Sequence, residues 1–160
     1  MAKKINIRLD FSEDNFFTGI SCHKREYWVA YNLNHHLKLN LERIKDLPVF
    51  NEKSEEILNF PIYHFEDSNS LVTYYLVSNS VTEGKLFPTF KTLDYFLLVS
   101  GHFSPVLGSG LIGEIKKIPK ILAAYEIKIS DNKFIGGFLT DLEIHMIELL
   151  KYSKNINPPH

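Results

Sequence analysis

Gly108-Ser-Gly110-Leu-Ile-Gly113 is a literal G-x-G-x-x-G. With this spacing a dinucleotide fold turns a strand tightly into a helix and seats a pyrophosphate on the helix N-terminus. Glu126 lies 16 residues beyond Gly110, close to where a ribose-binding acid would stand. The chemistry, however, requires a strand immediately before the first glycine. That strand would occupy residues 102–107, which contain Pro105, and a central strand cannot spare the N–H that proline lacks. The glycines are therefore expected inside a helix, as small residues that let a neighbouring element come close.

Other chemistry-bearing residues are scattered. Cys22-His23 falls at the expected first turn of a helix, where the dipole would lower a thiol pKa. No sequence marker supplies the base and oxyanion site that a nucleophile needs, so Cys22 is expected to be structural and His23 a capping or surface residue. His35 and His36 are adjacent, so on a helix they diverge by about 100°. With no H-x-x-x-H pairing, no metal site is expected. His64, between Tyr63 and Phe65, is expected on the solvent side of a strand. Lys116-Lys117-Ile-Pro-Lys120 is the densest basic patch, and with Tyr74 and Tyr75 it makes an RNA platform conceivable. It lacks the aromatic RNP-type strand, and lysines suit a helix C-terminus.

Asp94 is the sharpest oddity, a carboxylate inside an otherwise apolar strand. Burying its charge costs several kcal/mol unless it is paired or hydrogen-bonded. Either it is a structural acid tied to a backbone amide or a basic side chain, which is the preferred reading, or it marks a pocket. In the second case Asp94, Tyr95 and His102 are the candidate ligand-binding residues. No catalytic residue and no cofactor are assigned.

These residues need elements to hold them. Lys91 to Gly101, a weak helix, and Ile121 to Ile129 read as strand, crossover helix and neighbouring parallel strand. The first of these strands, apolar on both faces apart from Asp94, is expected to be central. Ile5, Ile7, Leu9 and Phe11 alternate with polar residues as a half-buried strand, and residues 12–14 form a turn. Phe16 to Ile20 leads into a helix capped by Ser21 and running to about Leu39, with Val29, Leu33 and Leu37 on one face. Residues 42–59, charged and containing Pro48, read as an irregular connection. Ile62 to Glu66 and Leu71 to Ser78 form a hairpin around Asp67-Ser-Asn-Ser70.

Ser104-Pro105 opens the crossover helix, whose stripe is Leu107, Leu111, Ile115 and Ile118 and which Pro119 ends. Thr140-Asp-Leu-Glu143 reads as the capping box of a last helix ending near Tyr152. The expectation is α+β: one antiparallel or mixed sheet of about five strands with helices mainly on one face. Residues 1–153 form the domain and 154–160 a flexible tail.

Composition sets the outer limits. A chain of 160 residues buries about 70% of its unfolded surface. Its hydrophobic fraction is 44% and its aromatic fraction 13%, supplied mainly by Phe and Tyr, which predicts a ring-rich core. A net charge of −1 gives no whole-domain footprint for nucleic acid. Cys22 is the sole cysteine, which excludes an intramolecular disulfide and a multi-cysteine zinc site. The first residues lack the apolar run of a signal peptide, and no stretch is long enough to span a membrane, so a cytoplasmic location is expected.

Phe87-Pro88-Thr89-Phe-Lys-Thr-Leu93-Asp94-Tyr95 resembles the signature of the IPExxxVDY family, small uncharacterised bacterial proteins. Pro88, Asp94 and Tyr95 match; Phe87 and Leu93 replace the first Ile and the Val, and Thr89 stands where the family has Glu. The likeness extends more loosely to Ile20-Ser21 and Lys117-Ile-Pro. It implies no activity. The strand–helix–strand half is also similar to ACT-like and other ferredoxin-like regulatory domains, which implies small-ligand binding at edges. Three functions follow as expectations. The first is a non-enzymatic interaction or regulatory module, pairing with itself or an unknown protein partner. The second is a small-molecule-binding domain with a pocket near Asp94 and Tyr95. The third is an RNA-binding module, although nucleic acid is not the expected partner.

Overall fold

The computed structural model describes residues 15–101 and 105–156. The strand expected over Ile5–Phe11, the turn at 12–14, Ser104 and the candidate ligand residue His102 lie outside the described residues.

One sheet contains β1 (Asn15–Ser21), β2 (Glu42–Asn51), β3 (Glu56–Asp67), β4 (Val72–Ser78), β7 (Tyr95–Gly101) and β8 (Ala123–Ile127). A small hairpin, β5 (Ser80–Val81) with β6 (Gly84–Lys85), interrupts the path from β4 to β7. The described helices are α1 (Glu26–Leu37), α2 (Pro105–Lys116) and α3 (Lys133–Ile156). The sheet has six strands, in the order β2-β3-β4-β7-β1-β8, and every pairing is antiparallel. The fold is α+β, and the six strands are those of the described residues.

The run Tyr95-Phe-Leu-Leu-Val99 places β7 in the middle, as its unbroken apolar character predicts. Tyr95, Leu97 and Val99 enter one core with Val29, Ala30 and Leu33 of α1 and Leu111 and Ile115 of α2. Phe96 and Leu98 enter the other with Ile135, Phe138, Leu139 and Leu142 of α3. Helices therefore cover both faces rather than mainly one. The alternation of side chains along an extended strand makes this possible, since each face of β7 needs its own cover. The expected ring-rich core is present in the second layer. Phe17 stacks on Phe96 at 5.2 Å, and Phe87 meets Phe96 edge-on at 5.0 Å and Phe138 at 5.6 Å.

Several local readings are corrected. The β7–α2–β8 unit exists, but its strands are not neighbours: β1 lies between them, antiparallel to both. Phe16 to Ile20 belongs to that interior strand and does not lead into a helix. Its double-sided burial hides any alternation, and Gly19 imitates a turn. Ser21 ends β1 instead of capping a helix; α1 begins after Arg25, whose side chain makes no cap. Residues 42–51 form β2 although they include Pro48, because β2 is an edge strand that can spare an N–H. α3 begins at Lys133, so Thr140 is interior and its hydroxyl donates to the Gly136 carbonyl at 3.2 Å. α3 also continues past Tyr152 to Ile156.

The three glycines of the G-x-G-x-x-G lie within α2, away from any strand-to-helix turn. A Cβ on Gly108 would stand 2.3 Å from the buried Phe16 ring, whereas one on Gly110 or Gly113 would meet nothing within 4 Å. Gly108 is the close-approach residue, and Leu107 beside it is exposed rather than on the buried stripe. Gly108→Ala should therefore lower stability by about 1–3 kcal/mol through overpacking. Gly110→Ala should raise it by about 0.5–1 kcal/mol through helix propensity. Chemical denaturation of the two variants checks this, and equal effects would contradict the assignment.

Candidate functional site

Residues 79–94 leave the end of β4 and return at the start of β7, two strands that pair through Ser78 and Tyr95. Asn79 organises this excursion. It is fully buried, and all its polar groups are engaged. Its backbone N–H donates to the Asp94 carbonyl at 2.9 Å, and its own carbonyl accepts from Leu86 N–H at 2.7 Å. Its side-chain amide donates to the carbonyls of Phe90 (3.1 Å) and Leu93 (2.8 Å), and its Oδ1 accepts from Phe87 N–H at 2.8 Å. Phe87 and Leu93 are thereby driven into the α3-side core. Gly19 makes room for Leu93, whose Cδ1 lies 2.5 Å from where a Cβ would be.

The same excursion delivers Asp94 and Tyr95 to a shallow cleft of about 340 Å³ against Cys22 to Glu26. Asp94 is half-buried. Its Oδ2 accepts the Cys22 N–H at 2.8 Å, and its own N–H donates to the Ile20 carbonyl at 2.9 Å. The Tyr95 hydroxyl donates to the Lys24 carbonyl. Burial, followed by the charge of Glu26, pushes the Tyr95 phenol well above its ordinary value. Asp94 and Tyr95 are both tied to the backbone that links β1 to α1.

This cleft is poorly equipped for chemistry. Cys22 is buried beside it, and burial pushes its thiol up, only partly offset by a backbone hydrogen bond at Lys24. The neutral thiol is a weak nucleophile. His23 is exposed. Arg43 extends to Glu26 at 3.7 Å and to Asp46 at 2.7 Å, while Lys24 rests over the Trp28 ring at 5.9 Å. Among the described residues, no group of three His, Cys, Asp or Glu is placed to hold a metal ion. His64 is half-buried against Tyr75 instead of facing solvent, and burial lowers its pKa. In the basic patch, Lys117 pairs with Glu114 at 3.1 Å.

Two polar residues carry weight that the sequence did not announce. Asn79 follows a strand, where asparagine ordinarily marks an exposed turn. His145 is buried on α3, and its Nε2–H donates to the Lys45 carbonyl at 2.8 Å, where β2 bulges between Ile44 and Leu47. Its place one turn beyond Phe138 and Leu142 on the buried stripe was the available signal. No family model, no curated protein and no solved structure matches the chain. No described helix is long and apolar enough to cross a membrane.

The folded state holds the Cys22 and Tyr95 protons to higher pH than the unfolded chain does. It therefore binds more protons than the unfolded state above about pH 8.5, and stability must fall as pH rises from there. Tyr95→Phe should flatten the part of this fall above about pH 9.5. Urea denaturation from pH 7 to 11 reads the slope, and an unchanged slope would contradict the burial of the phenol.

Proposed function

We propose that this protein is a non-enzymatic interaction module that self-associates through the open edge of its sheet. The observation that carries the reading is the unequal treatment of the two edges. β2 is guarded: it contains Pro48, bulges between Ile44 and Leu47, and is clamped from α3 by His145, all devices that stop strand addition. β8 has no proline and no bulge, and pairs only with β1 among the described residues. Leu122 is 62% and Tyr125 45% exposed beside that edge, apolar surface of the kind that marks association sites.

Self-complementarity selects a second copy as the occupant. An antiparallel pairing of two β8 strands centred on Tyr125 sets this exposed ring of each copy against that of the other, and aromatic pairs across strands are favourable. The Asp94 cleft supports the same reading, because its carboxylate is tied to a backbone amide and its phenol to a backbone carbonyl. A kinship with the IPExxxVDY proteins is part of the proposal and rests on the likeness of the run Phe87 to Tyr95 to their signature. The ACT-like kinship belongs to this proposal too, with β1 inserted between the two strands of the β-α-β unit.

Sedimentation velocity over a wide concentration range tests the association. The wild type should dimerise. Tyr125→Asp sets like charges against one another across the pairing and should weaken the dimer at least about tenfold, or roughly 1.4 kcal/mol, whereas Lys128→Glu, beyond the end of β8, should not. A wild type that stays monomeric at several hundred micromolar, or a Tyr125→Asp dimer as tight as the wild type, would refute the edge pairing.

A further inference from the structure

Beyond self-association, the structure assigns a second site: a cavity of about 510 Å³ between the β2–β3 hairpin tip, residues 85–89 and the start of α3, which we propose binds an amphipathic monocarboxylate. The volume lies within the range of small-ligand sites, about 300–1,000 Å³. Phe60, Phe87, Phe138 and Leu58, all buried, are among the residues that line it. Phe50 and Phe134 also line it and are 60% and 65% exposed. Two large rings left in water around an apolar recess are costly unless something covers them.

The charges around the cavity set the ligand's polarity. Lys53, Lys85 and Lys133 line it against only two acids, Glu52 and Asp141. Lys85 also donates to Ser80 Oγ at 2.8 Å. Burial raises the Asp141 carboxyl, moving it toward the neutral form. α3 begins at this cavity and has no acid in its first turn, so the positive end of its dipole is not offset by its own side chains. An apolar wall with a net positive lining fits a molecule with an alkyl or aryl body and one anionic head.

Gly137 provides the selective probe. It lines the cavity, is exposed on α3, and a Cβ there would meet nothing within 4 Å. Gly137→Leu should therefore occupy the recess while favouring the helix. The test is an NMR titration of the full chain with octanoate, with octanol as the uncharged control. Wild type should bind octanoate saturably with Kd below about 1 mM, shifting the amides of Phe87 and Gly137. Octanol, Gly137→Leu and Lys133→Glu should each weaken binding at least about tenfold, with the thermal midpoint of Gly137→Leu no lower than wild type. Absence of saturable octanoate binding, equal affinity for octanol, or undiminished binding by Gly137→Leu would overturn the assignment. Each readout is independent of the oligomeric state.

Discussion

The buried amide of Asn79 is the interaction on which both halves of the structure depend. One side chain satisfies a donor on Phe87 and acceptors on Phe90 and Leu93, while its backbone reaches Leu86 and Asp94. A segment without regular secondary structure would otherwise bury unpaired backbone groups, at about 1–3 kcal/mol each. With those groups satisfied, Phe87 and Leu93 can enter the core while Pro88, Thr89, Lys91 and Thr92 stay at the surface. Phe87 then joins the ring cluster with Phe17, Phe96 and Phe138, and Leu93 fills the space that Gly19 leaves open.

Two surfaces follow from that one anchor. At its far end, the segment presents Asp94 and Tyr95 to the backbone between β1 and α1, fixing where the first helix departs from the sheet. Near Phe87 it forms one wall of the aromatic cavity that α3 closes from the other side. The sheet meanwhile treats its borders differently, with His145 holding the bulged β2 edge and β8 pairing only with β1 among the described residues. One buried polar group does not fit this economy. The Thr18 hydroxyl lies in β1, one strand in from the β8 edge, with no hydrogen-bond partner among the described residues.

Elements that obey a single periodicity were legible in the sequence. β7 and the β3–β4 hairpin announced themselves through β-branched and aromatic runs, and α1 through Val29, Ala30 and Leu33. β1 was obscured because both its faces are buried and Gly19 interrupts it, and β2 because Pro48 is tolerated only at an edge, a fact of topology. The insertion of β1 between β7 and β8 is likewise non-local; no residue in 92–129 encodes it. At the candidate site, Asp94 was visible as a lone carboxylate in an apolar run, although it lies one residue before β7 begins and not inside the strand as expected. Asn79 was not, because a buried hub and an exposed turn use the same residue type.

Amide hydrogen exchange followed by NMR tests the role of Asn79 most directly, since it reports the opening free energy of each backbone group. The structure predicts that Phe87 and Leu86, although outside the main sheet, exchange as slowly as Leu97 in central β7. Exchange of those two amides at loop-like rates, while Leu97 stays protected, would contradict the view that one asparagine pins this segment to the core.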